Sequence, residues 1–283
     1  LKICIFNDTR LGIVDGDEVA DCSHILDRLK VTGYPLPRHD LLIEALPSLR
    51  PALDEALQNA PRIPLNQVSL GSPVANPGKL VAAPVNYQAH LDEAIADEAT
   101  FSRAHVRKIQ ETGLFLKATS SLVGASSSIA IGFPERRTDH EIELAVVIGK
   151  TAKNVPADAA LDYVAGYCIG LDITIRGPEE RSLRKSLDSY SVLGPWLVTS
   201  DELIDATDLD LALDVNGEPR QRANTRDLIM TTQELIAFAS SFYTLEPGDV
   251  IFTGTPEGVG PIRPRDTLSA SISKIGKINM VVK

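Results

Sequence analysis

Three carboxylates on strand-like segments carry the chemistry that this sequence offers: Glu141 and Glu143 in HEIEL, and Asp172 in GLDITIR. Successive side chains of a strand alternate faces, so Glu141 and Glu143 point to one side while Ile142 and Leu144 point to the other. By the same count Asp172, Thr174 and Arg176 share a face, opposite Leu171, Ile173 and Ile175. The run Ala145-Val146-Val147-Ile148 after the glutamates is apolar enough for a strand buried on both faces, which sets the acids beside a core. A buried carboxylate has to be protonated, paired with a cation or bound to a metal, because isolated buried charge is too costly. From pattern alone, a Glu-x-Glu on a strand is more often a solvated face or a salt-bridged pair. If the three acids converge on an ion, it is a hard one. Every donor is an oxygen and the nearby thiol Cys168 has no partner cysteine, which fits Mg²⁺ or Mn²⁺ better than zinc.

The elements that must hold these acids are mostly strands. KICIFNDTRLGIVDGDEVADCS alternates and carries Asn7-Asp8 and Asp15-Gly16 as turn signals, predicting short antiparallel strands. From Asp40 to Ala60 leucines and alanines fall at helical spacing, and Pro47 and Pro51 predict two short helices or a kinked one. A Pro-rich connection through Pro61, Pro64, Pro73 and Pro77 marks the end of a small N-terminal α+β domain, residues 1–76, with the main domain at 77–283. The main domain opens with a strand from Lys79 to Pro84. From about Asp92 to Gln110 the chain is charged and weakly amphipathic, predicting a surface helical segment able to act as a lid. FLKAT reads as a strand, Pro156–Tyr163 as a short helix, Tyr163–Arg176 as a long strand, and LGPWLVTSDEL as a strand entering a loop. ALDVNGEPRQ is a hairpin turning at Asn216-Gly217, and TTQELIAFASS a helix capped by Thr231 or Thr232. The fold class is mixed α/β, rich in β.

The 28 basic and 38 acidic residues leave a net charge of −10, with no basic run interleaved with aromatics. That argues against nucleic acid and anionic membranes as partners, while an anionic substrate requires local cations or a metal. Cys4, Cys22 and Cys168 are odd in number and widely spaced, so neither a disulfide framework nor a cysteine metal motif is expected. LKICIFNDTRLG has too short an apolar run for a signal peptide and no stretch approaches a membrane span, so the expected location is the cytoplasm.

As a set, NYQAH with Glu93, FLKATSSLVG, HEIELAVVIGK, YVAGYCIGLDIT with Arg176, Lys185-Ser186, LGPWLVT and LEPGDVIFTGTPEGVG resemble the fumarylacetoacetate hydrolase family, from about Val81 to Pro261. The resemblance is to its acylpyruvate hydrolase and hydroxyheptadienedioate isomerase branch. It implies a mixed β-sandwich-like roll, a homodimer, and one divalent ion per subunit held by Glu141, Glu143 and Asp172. It implies a catalytic dyad, His90 and Glu93, whose spacing puts both on one side of a helical turn. Lys185 matches a family lysine near the substrate and Thr255 a loop threonine that contacts the substrate carboxylate. Tyr87, Lys117, Arg176 and Gln221 fall at further substrate-side positions, and Asn86 at a motif position. His140 adjoins a ligand and could orient it; His24, His39 and His105 have weaker claims.

The chemistry so implied starts from a small anionic 2-oxo acid whose carboxylate and keto oxygen chelate the ion. For an acylpyruvate, His90 oriented by Glu93 activates water against the distal carbonyl, and the bond between C3 and C4 breaks to release pyruvate enolate. The same enolate is reached by decarboxylating oxaloacetate or by isomerising a hydroxymuconate-type diacid, which are the alternatives in that order. A metal-binding relative without catalysis is the alternative of another kind. Retention of the three acids, the dyad and Lys185 weighs against it.

Overall fold

The computed structural model describes residues 1–29, 33–96 and 109–283. Its centre is the strand Ile142–Ile148, every residue of which is buried. It lies between Val164–Asp172 and Val250–Phe252, antiparallel to both. On one side the sheet continues through Ser191–Thr199 to Lys2–Phe6, Arg10–Asp15, Glu18–Asp21 and Arg62–Pro64. On the other it continues through Leu80–Ala82 to Phe115–Lys117. The N-terminal strands therefore extend the large sheet, joined where Lys2–Phe6 pairs with Ser191–Thr199. The turn signals lie where expected, with Asn7, Asp8 and Gly16 all at positive φ.

The parity read from the sequence decides what covers each face. Ile142, Leu144, Val146 and Ile148 pack, with Leu171, Ile173 and Ile175, into one core. That core also takes in the helix Thr232–Phe242 and a five-stranded sheet built on the hairpin Asp210–Val215/Glu218–Asn224. That hairpin turns at Asn216 and Gly217, both at positive φ. Ala145 and Val147 enter the opposite core, against the helix Leu41–Asn59. Glu141 and Glu143 share the parity of Ala145 and Val147. The strand thus gives one end of this face to the helix and the other to the carboxylates. A three-stranded sheet of Thr174–Ile175, Thr138–His140 and Gly260–Ile262 closes the carboxylate end.

The helix at 41–59 decides against the two short helices that its prolines allowed. It is a single continuous helix with Pro47 and Pro51 inside it. Both prolines sit on the exposed side, where their rings project away from the sheet. The stripe Leu42, Ile43, Leu46, Leu49, Ala52, Leu53 and Ala56 is buried against the sheet and outweighs the two missing bonds. Asp40 caps the start through Leu42 N and Ile43 N. Of the predicted lid at 92–110, a helix Gln88–Ala96 and a turn of helix Ile109–Thr112 are described, and 97–108 lies outside the described residues. The Thr231 cap is found as a full capping box with Glu234. Among the described residues no helix is long and apolar enough to cross a membrane.

Candidate metal and catalytic centre

Strand pairing brings the acids together. Ile142 pairs with Leu171 and Glu143 with Gly170, so the face that carries Glu141 and Glu143 also carries Asp172. One oxygen from each of the three lies within 4.8 Å of the others, and all three side chains are buried. Lys185 Nζ reaches across the cluster, donating to Glu141 Oε2, Asp172 Oδ2 and Thr174 Oγ1 at 2.7 Å each. Lys117 Nζ donates to Asp172 Oδ1 and to the Tyr190 carbonyl from the buried end. Arg176 bridges Asp139 Oδ2 at 2.7 Å and Glu141 Oε1 at 3.1 Å. Glu143 accepts the Gly254 amide at 2.6 Å. Gly254 has φ +97°, and a Cβ there would come within 2.7 Å of Asn86 Cβ, so only glycine brings this amide to the site.

The three carboxylates are not electrostatically alike. Burial pushes Glu141 up, but Lys185, Arg176 and His90 outweigh it and hold the carboxyl at about 2. Glu143 is pushed well above the usual carboxylate range by burial and then by the charge of Asp172. Burial lowers Lys117, against the opposing pull of Asp172. An all-oxygen, buried, crowded set with one carboxyl held up by its neighbour is what a hard divalent cation relieves. The residues present therefore fit Mg²⁺ or Mn²⁺.

His90 and Glu93 are joined as their spacing implied. His90 Nδ1 lies 2.9 Å from Glu93 Oε2, and Glu93 Oε1 accepts the Gly258 amide at 3.0 Å. Glu93 thus orients the imidazole and ties its helix to the loop after Val250–Phe252. His90 is 4% exposed, and its charge is felt at Glu141.

The other sequence candidates are placed as follows. Tyr87 is buried beside Glu143, its hydroxyl lacking a hydrogen-bond partner, and burial with that neighbouring charge raises its pKa. Gln221 is fully engaged inside the protein: Oε1 accepts His140 Nδ1 and Ile142 N at 3.1 Å, while Nε2 donates to Thr255 Oγ1 and the Pro256 carbonyl. Thr255 Oγ1 in turn donates to the Ile142 carbonyl. Gln221 and Thr255 therefore lock the carboxylate strand to the loop. Asn86 spans Met230 and Thr253, a backbone-supporting role. His140 is buried beside Gln221 and burial lowers its pKa. His24 and His39 lie in the N-terminal part, and His105 lies outside the described residues.

Sequence reasoning passed over Asp139, which is fully buried and pairs with Arg137 and Arg176. It also passed over Phe115, Arg181 and Arg184. Parity would have found Asp139, two residues before Glu141. Helical spacing would have paired Arg181 with Lys185.

Comparison with known proteins agrees with this geometry. The family model described as fumarylacetoacetate (FAA) hydrolase C-terminal matches residues 79–283. A maleylpyruvate hydrolase of Aquipseudomonas alcaligenes is 55% identical over 285 aligned positions, covering 100% of this chain and 99% of that protein. The crystal structure of maleylpyruvate hydrolase from Sphingobium sp. SYK-6 in complex with manganese(II) ion and pyruvate superposes with a TM-score of 0.85 at 39% identity. It covers 100% of this chain and 98% of that one. A mitochondrial oxaloacetate tautomerase of Rattus norvegicus is 37% identical over 235 positions, 78% of this chain and 72% of that protein. With the model matching residues 79–283 and these relatives covering 78–100% of the chain, the chain belongs to the fumarylacetoacetate hydrolase family.

Proposed function

We propose that the protein hydrolyses a C–C bond in an acylpyruvate-type 2,4-dioxo acid, of which maleylpyruvate and fumarylpyruvate are examples, giving pyruvate and an organic acid. The observation that carries this reading is the Glu93-oriented His90 beside the three-carboxylate cluster, supported by the maleylpyruvate hydrolase relatives. Glu141, Glu143 and Asp172 would hold the divalent ion, Mn²⁺ or Mg²⁺. When bound, that ion supplies chelation of the 2-oxo acid head and polarisation of its keto group. With His90 Nδ1 held by Glu93, Nε2 takes a proton from water as the oxygen bonds to C4. The C3–C4 bond breaks, its electron pair passes to the enolate of pyruvate, and the acid leaves with the new oxygen. Lys185, already in hydrogen-bond reach of Glu141 and Asp172, stabilises the developing enolate oxygen. Protonation at C3 gives pyruvate. Tyr87 supports the substrate from its place beside Glu143, while Thr255, Gln221, Arg176 and Lys117 shape the pocket by fixing the strand and loop that form it.

The second reading, enolisation or decarboxylation of oxaloacetate, uses the same head-group site without a positioned water, and the tautomerase relative favours it. Following the ultraviolet absorbance of the enol forms of maleylpyruvate, acetylpyruvate and oxaloacetate, with Mn²⁺ or Mg²⁺ and with chelator, separates the two. Metal-dependent loss of an acylpyruvate with stoichiometric pyruvate is the expected result. Consumption of oxaloacetate alone would replace the hydrolase reading.

We further propose that residues 77–283 form the catalytic unit with 1–76 as its buttress. The protein works as a homodimer in a reducing cytoplasm, where Cys4, Cys22 and Cys168 stay as free buried thiols.

A further inference from the structure

Two residues before Glu141, Asp139 is fully buried, yet it adds no oxygen to the three-carboxylate set. It lies on Thr138–His140, the middle strand of the three-stranded sheet, directly opposite Thr174. The period of two puts Asp139 on the face of Glu141, and Arg176, two residues past Thr174, reaches both. The backbone of Arg176 is held on either side. Its amide donates to the Arg137 carbonyl at 2.8 Å, and its carbonyl accepts Arg136 Nη2 at 2.9 Å.

Arg176 divides one edge of its guanidinium between two carboxylates. Nε donates to Asp139 Oδ2 at 2.7 Å, and Nη2 donates to Glu141 Oε1 at 3.1 Å. Those two donors lie side by side and point the same way, the geometry that ordinarily closes on a single carboxylate with two parallel bonds. Here the fork is split, and the shorter bond goes to Asp139. Arg137 Nε fixes the other oxygen of Asp139, Oδ1, at 2.7 Å. On Glu141, Thr174 Oγ1 also donates to Oε1 at 3.1 Å, and Lys185 Nζ donates to Oε2 at 2.7 Å. A fork closed on Glu141 would put a guanidinium bond on both of its oxygens, which a hard cation would have to displace. The split fork leaves Glu141 one longer bond from Arg176, on one oxygen.

We propose that Asp139 is a positioning residue for Glu141: by holding one prong of Arg176 it keeps the fork from closing on Glu141 and keeps that carboxylate open to the divalent ion. The proposal rests on the reading of Glu141 as a metal ligand. Partners that orient a ligand in this way change metal affinity by about tenfold to a hundredfold when they are removed.

The test is calorimetric titration of Mn²⁺ into the wild type and its variants, with unfolding free energy measured alongside by urea denaturation. Asp139→Asn, which removes the charge that holds the prong, is expected to weaken Mn²⁺ binding by about tenfold or more. Arg176→Lys keeps a cation and has no fork, so adding Asp139→Asn to it should change the dissociation constant by less than about twofold. Adding Arg137→Gln to Asp139→Asn lowers the surplus positive charge and should give the same loss of affinity, and it serves if the single variant does not fold. Unchanged Mn²⁺ affinity in Asp139→Asn, with stability alone reduced, would make the residue structural and overturn the proposal. An equal loss in the wild-type and Arg176→Lys backgrounds would assign the effect to the charge of Asp139 itself and overturn it too. Glu141→Gln in the same titration tests the ligand reading separately: if it binds Mn²⁺ as the wild type does, that reading fails and the proposal with it. Weak binding by Glu141→Gln beside unchanged binding by Asp139→Asn overturns the proposal alone.

Discussion

Two sets of buried carboxylates face different surroundings in this molecule. At the seam between the helix Leu41–Asn59 and the large sheet, Asp40 accepts four backbone amides, those of Leu42, Ile43, Ala75 and Asn76, at 2.9–3.1 Å. Asp249, nearby, accepts the Lys79 and Glu246 amides and the Lys79 ammonium, each at 2.7 Å. At the other end, Glu141, Glu143 and Asp172 are set against one another, with side-chain cations on Glu141 and Asp172 and the Gly254 amide on Glu143. Fixed dipoles around a lone acid make a joint, whereas acids converging on each other make a site whose charge a ligand is meant to complete. Burial alone does not separate the two.

The comparison breaks most visibly if Asp172 is changed. Asp172→Asn is expected to lower kcat/KM by about 10³-fold or more, the several kcal/mol a polarising ion provides. The same change removes the rise in melting temperature on adding Mn²⁺ while leaving the metal-free protein folded. A related pH signature follows from Glu143. Its folded pKa lies above the unfolded value, so in the metal-free protein its contribution to stability is present below the unfolded pKa and is lost as pH rises through the folded one. Metal binding needs the ionised carboxylate, so the Mn²⁺-induced shift in melting temperature should grow as pH rises through the folded pKa of Glu143. A flat profile would place the ion elsewhere.

His90→Asn is next in size, with an expected loss of about 10²-fold or more in kcat. The Mn²⁺ stabilisation should persist, because His90 lies outside the cluster. Glu93→Gln keeps the hydrogen-bonding shape of the dyad and removes its charge, so its loss should be smaller than that of His90→Asn. Unchanged turnover in both variants, with metal binding intact, would remove the dyad from the reaction.

Much of the site could be read from alternation. The parity of HEIEL put Glu141 and Glu143 on one face of their strand, and that of LDITIR put Asp172, Thr174 and Arg176 on one face of theirs; the pairing of the two strands joined the faces. That reading works because a period of two leaves no other arrangement once Ile142, Leu144, Leu171 and Ile173 are committed to a core. Contacts between distant segments were not legible in this way. Nothing local in FLK says that Lys117 ends on Asp172, or that Gln221 is spent clamping His140, Ile142 and Thr255. Those pairings depend on which strands neighbour which, and the parallel pairing of Leu80–Ala82 with Val250–Phe252 joins segments far apart in sequence. That the helix at 41–59 runs unbroken rather than as two short ones depends on the exposed side its prolines face, which spacing alone does not give.

The seam should respond in the opposite way to the site. Asp40→Ala strands four amides and removes a cap, with an expected loss of about 2–4 kcal/mol of unfolding free energy by urea denaturation. At a temperature where the variant is folded, kcat/KM should stay within about twofold of wild type. A large loss of activity without loss of stability would make the seam part of the catalytic apparatus.

The smallest effect is the most discriminating about how far the buttress reaches. Pro47 lies on the exposed side of its helix and cannot donate to the Ile43 carbonyl. Pro47→Ala restores that donor and helix propensity, a gain of about 3 kcal/mol in an ideal helix interior. Against it stands the extra freedom of the unfolded chain. The net expectation is stabilisation by about 1 kcal/mol with no change in kcat/KM or in the Mn²⁺ shift. If the substitution destabilises instead, the prolines set a curvature that the stripe from Leu42 to Ala56 needs in order to follow the twisted sheet. The buttress would then be shaped by its solvent face as well as by its buried one.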